Sequence, residues 1–254
     1  LSAPWNFVNP RFGLIYDLND KISVFANYGK SQKEPADNQI IEADDVWSEP
    51  IIASAEIVDN TEIGFSYISG AINSNLNIYR MNYKNEQLKN IDIKQEGEYN
   101  YYSADATIHQ GIEFDVAFNF IQRLNVSFNG TINHNSFESG NSKGNILPNT
   151  PLTLGNSIIS YQNSKVIQTF VKLRYVGKQF VDDNNTSEGV IDPFTLVDIG
   201  SSLKIGKTAL NLKINNLFDT MYSTFGYGYE WDGYWAYFWP GATRSFYANL
   251  EYNF

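Results

Sequence analysis

Aromatic side chains are concentrated near the C-terminal end of the sequence, in a long segment between two alternating arms. Tyrosine and tryptophan offer flat π faces for stacking, and tyrosine adds a hydroxyl group for hydrogen bonding. Gly226, Gly228 and Gly233 separate these rings, which predicts a flexible loop. We therefore expect this loop to bind a sugar, a catecholate or another planar ligand. The predicted ligand-binding residues are Tyr227, Tyr229, Trp231, Tyr234, Trp235 and Tyr237.

No set of residues in the sequence is arranged for catalysis or for metal binding. His109 and His134 are isolated from each other and from other candidate ligands, so we interpret them as polar residues near strand ends. A G-x-S-x-G elbow, a glycine-rich phosphate loop and an H-E-x-x-H zinc motif are all missing. The sequence also contains no cysteine, which excludes disulfides and cysteine-ligated metals. We expect no enzymatic activity, no metal site and no cofactor.

The charge balance excludes one large class of partner. Lys and Arg number 18 against 28 for Asp and Glu, which gives a net charge of −10. A protein that binds the phosphate backbone needs a basic surface to replace its counterions. Nucleic acid is therefore not an expected partner.

Hydrophobic alternation with a period of two runs through most of the chain and predicts β-strands. The clearest case is Gly111 to Phe120, where Ile112, Phe114 and Val116 alternate with acidic residues. The alternation slips near Arg80, which predicts a β-bulge there. About eleven strands are expected. They cover residues 9–17, 21–29, 60–67, 75–83, 111–120, 124–133, 151–161, 166–176, 195–203, 208–215 and 244–254.

The connections between these strands alternate strictly between short turns and long loops. This segregation is typical of outer-membrane barrels, which have tight periplasmic turns, long extracellular loops, an apolar outer face and a polar lumen. No apolar run is long enough for a membrane helix. The pattern predicts an all-β, antiparallel, up-and-down transmembrane barrel. A soluble β fold stays open as an alternative, because alternation does not say which face is inside.

Two segments have more than one interpretation in such a barrel. The aromatic residues beside the last strand, Phe238 and Trp239, suit a girdle at the membrane interface. The loop from Ser31 to Ser54 is rich in Asp and Glu. It is either a solvated surface or a place where divalent cations bridge the protein to lipopolysaccharide or to a neighbouring protein.

Several stretches resemble the C-terminal part of TonB-dependent outer-membrane receptors. The most specific are the run from Asn215 to Asp219 and the terminal Tyr252-x-Phe254. Others touch nearly every strand. They read NPRFGLIYDLNDKISVFANYGKSQKEP, EIVDNTEIGFSY, GIEFD, NTPLTLGNSIISY, YVGKQF, DPFTLVDIGSSL, LNLKINNLFDTMY and WPGATRSFYANLEYNF.

The resemblance implies a barrel of 22 strands around a plug domain, with residues 1–254 forming the C-terminal portion of the barrel. The plug, its TonB-contacting box and the N-terminal strands are then absent from this sequence. Strand parity agrees, because a C-terminal half of such a barrel begins with a descending strand and a short turn, as at Asn19-Asp20. In this family Tyr252 and Phe254 resemble the signal that the barrel-assembly machinery recognises.

These implications predict a receptor in the Gram-negative outer membrane that takes up a scarce solute. The solute is a ferric siderophore, cobalamin or similar molecule, and the expected partners are this ligand, outer-membrane lipid and lipopolysaccharide, the TonB complex through the plug, and the barrel-assembly machinery through the last strand. Two alternatives remain: a structural or adhesive barrel that transports nothing, and a soluble glycan-binding β protein.

Overall fold

A computed structural model of the chain describes residues 5–35, 54–90, 100–230 and 232–253, and none of them is helical. The strands are β1 (Arg11–Asn19), β2 (Ile22–Lys33), β3 (Glu56–Ile68), β4 (Ile72–Asn90), β5 (Asn100–Ile121), β6 (Leu124–Phe137), β7 (Thr153–Gln162), β8 (Ile167–Val176), β9 (Gln179–Phe180), β10 (Val190–Ile191), β11 (Phe194–Ile205), β12 (Thr208–Asn215), β13 (Ser223–Glu230), β14 (Tyr234–Pro240) and β15 (Ser245–Tyr252).

One antiparallel sheet of 11 strands dominates the structure, in the order β1-β2-β3-β4-β5-β6-β7-β8-β11-β12-β15. Each strand pairs with the next one along the chain, apart from two small hairpins that lie in loops. The sheet is open, since β1 pairs only with β2 and β15 only with β12. The predicted fold class, an up-and-down barrel fragment of about eleven strands, is confirmed.

The alternation of connection lengths is also confirmed. Short turns join the strands at one end, and long loops join them at the other. The short turns are residues 20–21, 69–71, 122–123, 163–166 and 206–207. The long connections are residues 34–55, 91–99, 138–152, 177–193 and 216–244, of which 36–53 and 91–99 lie outside the described residues.

The sequence-based strand limits were wrong at the loop end of β4 and β5. The strands predicted at residues 75–83 and 111–120 left a polar loop near Gln87 to Tyr102 between them, but β4 and β5 continue to pair there, with Leu88 opposite Tyr102. Backbone hydrogen bonds to a neighbouring strand stabilise an extended polar segment whose side chains do not alternate. The bulge expected near Arg80 was also wrong, since Arg80 pairs in unbroken register with Thr61 on one side and Gln110 on the other.

The cross-strand register separates the sheet into an apolar face and a polar face. Ile112 lies opposite Ile132, and Val116 lies opposite Phe128, so apolar residues meet apolar residues across β5 and β6. On the last strands Leu210 pairs with Leu250, while Asn211 pairs with Asn249. The register places Ile112, Phe114, Val126, Phe128, Leu212 and Leu250 on the apolar face, and their contact with lipid stays a prediction.

Exposure on the two faces is the reverse of that in a water-soluble protein. On the apolar face Leu212 is 48% exposed and Leu250 is 70% exposed. On the polar face Asp198 is only 2% exposed. The sheet therefore curves with its polar face inward, as a lumen wall does. Among the described residues no helix is long and apolar enough to cross a membrane.

Hydrogen bonds between amide and carboxylate side chains cover the polar face. Asn75 Nδ2 donates to both oxygens of Asp115 at 3.0 and 3.1 Å, and Asn77 Nδ2 donates to Glu113 Oε2 at 3.3 Å. Asn156 Nδ2 donates to Asn129 Oδ1 at 3.2 Å in the same way. These contacts satisfy polar groups that the register places directly opposite each other on neighbouring strands.

The two faces predict different responses to charge. Leu212→Arg places a cation on the apolar face, and we expect it to cost about 2–4 kcal/mol of folding free energy if the residue lies near the bilayer midplane. Asn211→Arg, one residue earlier on β12, projects to the polar face and serves as the matched control. The measurement is a denaturant titration of a receptor that contains this chain, refolded in lipid vesicles. Equal costs for both variants would contradict the assignment of the faces.

The open edges of the sheet predict that residues 1–254 alone will not fold as a monomer in water. β1 and β15 each leave one row of backbone donors and acceptors unpaired, beside an apolar face with no cover. The purified chain should therefore aggregate without detergent and show no cooperative thermal transition by circular dichroism. A detergent-free monomer with a cooperative transition would overturn this prediction.

Candidate functional site

The aromatic segment forms a β-hairpin at the loop end of the sheet, where the sequence predicted a flexible loop. β13 and β14 pair in antiparallel register, with Phe225 opposite Trp239 and Tyr227 opposite Tyr237. The hairpin turns through Asp232 and Gly233, which have φ angles of 46° and 110°. Cross-strand hydrogen bonding and ring contacts between the two strands order a segment that glycine content alone marks as mobile.

Alternation within the hairpin places most of its large rings on one face, here called the aromatic face. It consists of Phe225, Tyr227, Tyr229, Trp235, Tyr237 and Trp239. The tyrosine rings are nearly parallel: the Tyr229 and Tyr237 centroids are 6.2 Å apart with 5° between the planes, and those of Tyr227 and Tyr237 are 5.2 Å apart with 15°. Tyr227 also contacts Trp239 at 5.3 Å. The rings form a continuous layer.

The structure brings together four of the six predicted ligand residues on the aromatic face: Tyr227, Tyr229, Trp235 and Tyr237. Trp235 and Tyr237 are 53% and 46% exposed, so ring area is accessible for stacking. Tyr234 projects to the opposite face of the hairpin. Trp231 lies outside the described residues. Whether these six residues bind a ligand stays a prediction.

The glycines of β13 allow close packing behind the aromatic face. A Cβ atom on Gly226 would lie 2.6 Å from Val181 Cγ1, and one on Gly228 would lie 2.0 Å from Tyr234 Oη. Both distances are far inside van der Waals contact, so no larger residue fits without movement. The sequence reading of these glycines as sources of flexibility was wrong, because neighbouring atoms occupy the space that a side chain would need.

Hydrogen bonds attach the back of the hairpin to two other loops. Tyr234 donates its hydroxyl to Asp182 Oδ2 at 2.6 Å. The side chain of Asn149 forms a reciprocal pair with Gly226, donating to its carbonyl at 2.9 Å and accepting from its amide at 3.1 Å. The amide of Gly228 donates to the Val181 carbonyl at 3.2 Å.

The loop of residues 138–152 and the loop of residues 177–193 are also joined to each other. Asn185 donates to the carbonyl of Ile146 at 2.8 Å and accepts from its amide at 2.7 Å. Tyr102, at the loop end of β5, donates to Asp183 Oδ2 at 2.6 Å. Asp182, Asp183, Asn149, Asn185, Tyr102 and Tyr234 together form what we call the loop interlock.

The tyrosines of the loop interlock keep their protons over the neutral pH range. Burial raises the pKa of Tyr102 above its ordinary value of 10.0, and the hydrogen bond to Asp183 raises it further. Burial and the hydrogen bond to Asp182 raise the pKa of Tyr234 in the same way. Burial also raises the pKa of Asp183, against the opposing effect of the Tyr102 hydrogen bond. Each hydroxyl is therefore a donor at neutral pH.

A polar cluster on the lumen wall anchors the chain where it leaves β12 for the hairpin. Asp198 Oδ1 accepts the amide of Asn216 at 2.9 Å, and its Oδ2 lies 3.7 Å from Arg174 Nη2 and 3.6 Å from Lys213 Nζ. Asn216 has a φ of 48°, and its side chain donates to the carbonyls of Thr220 and Ala242. Asn tolerates this left-handed conformation, so the Asn-Asn-Leu-Phe-Asp run marks a turn that begins a long loop.

The remaining predicted residues do not form a second site among the described residues. His109 lies within β5, 3.0 Å from Glu86 Oε1 of β4 in a polar contact, so its expected place near a strand end was wrong. No group of three or more potential metal ligands occurs in the described ranges. Tyr252 ends β15 on the apolar face, whereas Phe254 and most of the acidic loop, residues 36–53, lie outside the described residues. The assembly signal at Tyr252 and Phe254 stays a prediction.

The shape of the chain is similar to that of several solved receptors. The ferric yersiniabactin uptake receptor of Yersinia pestis superposes with a TM-score of 0.79 at 18% identity, over 96% of this chain and 37% of that one. The ferric enterobactin receptor of Pseudomonas aeruginosa, solved as a mutant with enterobactin, gives 0.77 at 19% identity, over 96% of this chain and 40% of that one. These likenesses establish the fold.

Proteins that are similar in sequence include a receptor and an iron-regulated outer membrane protein. The ferrioxamine receptor of Yersinia enterocolitica is 28% identical over 163 residues, which are 61% of this chain and 22% of that receptor. An iron-regulated outer membrane virulence protein of Vibrio cholerae is 28% identical over 130 residues, or 49% and 20%. The chain thus spans about a fifth of the length of the curated relatives it matches.

A family model for the β-barrel of TonB-dependent receptor-like proteins matches residues 2–217. The match includes every strand of the main sheet except β15. It ends at the start of the loop of residues 216–244. It agrees with the inverted polarity and the segregated loops described above. The chain therefore belongs to the TonB-dependent receptor β-barrel family and forms part of an outer-membrane barrel.

Proposed function

We propose that the protein containing this chain is an outer-membrane receptor that captures a ferric siderophore and imports it with energy from the TonB complex. The observation that carries the proposal is the aromatic face, a layer of stacked rings at the loop end of the barrel. The relatives are named for ferrioxamine, yersiniabactin and enterobactin, which favours iron chelates over cobalamin or glycans. A plug domain is the expected contact for TonB.

The aromatic face suits a ligand with planar groups. Its six residues carry no formal charge, so binding would come from stacking and from the hydroxyls of Tyr227, Tyr229 and Tyr237. Acidic residues stand at the tip of the hairpin instead, at Glu230 and Asp232. Each stacked ring contributes about 0.5–1.5 kcal/mol beyond the burial of its area. Several engaged rings together would then account for specific capture without a charged contact.

The other parts of the chain would serve this capture indirectly. The apolar face would contact outer-membrane lipid and lipopolysaccharide, and the last strand would present Tyr252 and Phe254 to the barrel-assembly machinery. The polar concave face, with Asp115, Glu113 and their amide partners, would line the path that the ligand takes around or past the plug.

The test uses a receptor that contains this chain, displayed in cells that lack other siderophore receptors. We expect Tyr229→Ala/Trp235→Ala to weaken surface binding of ferric siderophores by about tenfold, because the loss of two stacked rings removes on the order of 1.4 kcal/mol. Iron-loaded enterobactin, yersiniabactin and ferrioxamine, each labelled with radioactive iron, are the probes.

Met221→Ala is the control, since Met221 lies in the same loop outside the hairpin and is 92% exposed. Binding and uptake are compared at equal surface abundance. The proposal fails if the parent binds none of the three probes. It also fails if the double variant binds a probe as tightly as the parent binds it. A structural or adhesive barrel would give the first result.

A further inference from the structure

We infer that Asp182, Asn149 and Tyr234 are positioning residues, which hold the aromatic face in its binding orientation from behind. This inference rests on the proposed function, because it concerns the same face. It also assigns Tyr234 a different role from the other five aromatic residues of the predicted site. Tyr234 acts through Asp182 and does not contact the ligand.

The hydroxyl of Tyr234 sits in a slot that only glycine leaves open. A Cβ atom on Gly228 would lie 2.0 Å from Tyr234 Oη, and one on Gly189 would lie 1.9 Å from the same atom. The hypothetical Cβ of Gly189 would also lie 2.5 Å from Asp182 Oδ2. Both loops therefore have a glycine at the point where the hydroxyl meets its acceptor. This close packing fixes the position of the contact.

Hydrogen bonds within its own loop fix the position of the Asp182 carboxylate. Its Oδ1 accepts the amides of Asn184 at 2.9 Å and Thr186 at 3.2 Å, and also the Thr186 hydroxyl at 3.0 Å. These bonds close a turn within its own loop and fix the carboxylate. Its other oxygen, Oδ2, is left to Tyr234. The contact therefore transmits the position of the loop of residues 177–193 to the hairpin.

Asn149 makes a second attachment that is independent of Tyr234. Its side chain pairs with both the amide and the carbonyl of Gly226, as a neighbouring strand would, while its own amide donates to the Phe180 carbonyl at 2.7 Å. It has a φ of 55°, a conformation that Asn adopts more readily than most residues. One residue thus joins the hairpin to both other loops.

Two attachments on the back of a two-stranded hairpin fix its direction as well as its distance. An isolated hairpin is marginal in water and would have to be ordered when it binds a ligand. The loop interlock supplies this order in advance, so its loss should weaken affinity. The rate of transport at saturating ligand should stay unchanged, because the lumen and the plug are not altered.

The experiment compares Tyr234→Phe, Asp182→Ala and the double variant in the displayed receptor, with whichever of the three iron-loaded siderophores the parent binds. Each single change should weaken binding by about threefold to tenfold. The double variant should bind the siderophore no more weakly than the weaker-binding of the two single variants, since the two substitutions remove the same contact. Maximal uptake should equal that of the parent. Tyr161→Phe, on the apolar face of β7, is the matched control.

A second readout follows the hairpin itself. Chymotrypsin cleaves after exposed aromatic residues, so loosening the hairpin should speed its cleavage on intact cells. Gly228→Ala should have the same effect from the hairpin side, because its Cβ displaces the Tyr234 hydroxyl.

The outcomes separate this inference from the proposed function. Parental affinity and parental cleavage in Tyr234→Phe would overturn the positioning role. So would losses that multiply in the double variant, because they would mean that Tyr234 contacts the ligand directly. Parental affinity in Tyr229→Ala/Trp235→Ala would instead overturn the proposed function, even where Tyr234→Phe still speeds cleavage of the hairpin.

Discussion

The pairing of backbone hydrogen bonds between strands is the constraint on which this structure depends. A chain that crosses hydrocarbon has no water for its amide and carbonyl groups, so each group needs a partner in a neighbouring strand. The main sheet joins 11 strands from β1 to β15 and carries polar and apolar strand segments alike. With pairing satisfied this way, apolar side chains are free to face outward, and polar ones such as Asp115 and Asn75 meet on the concave side.

The same ladder supplies firm ends for the loops, which depend on a different kind of contact. Within the part of the chain that the structure describes, a small buried apolar cluster is formed by Ala104, Phe137 and Leu147, with Leu88 and Tyr102 packed against it. Side-chain amides and carboxylates supply most of the other contacts between the loops, through hydrogen bonds to backbone and side-chain groups. Asn149 and Asn185 each pair with both the amide and the carbonyl of a residue in another loop, and Asp182 accepts the hydroxyl of Tyr234, so loops that are long in sequence are joined where they meet.

This construction changes what the aromatic hairpin can do. Rings on a mobile loop would lose much of their stacking energy to ordering, whereas rings on an attached hairpin meet a ligand already aligned. Tyr227, Tyr229 and Tyr237 lie on one face of the hairpin. Polar contacts attach the opposite face to other loops, and the glycines there leave room for close packing of neighbouring atoms. Under the proposed function, the affinity for a ligand would therefore depend also on residues that do not touch it.

The sequence by itself determined the eleven strands of the main sheet, their apolar and polar faces and the segregation of short and long connections, because a period of two and turn residues are local signals that pairing then reinforces. The Ile112 to Phe118 alternation and the family motif around Asn216 were readable for this reason. Only the tertiary structure decided that Leu88 and Tyr102 continue a ladder, that Gly226 and Gly228 mark close packing, and that Tyr234 turns away from its neighbours toward Asp182. Each depends on a partner far away in the chain, such as Val181 for Gly226, and neither composition nor periodicity carries information about a distant contact.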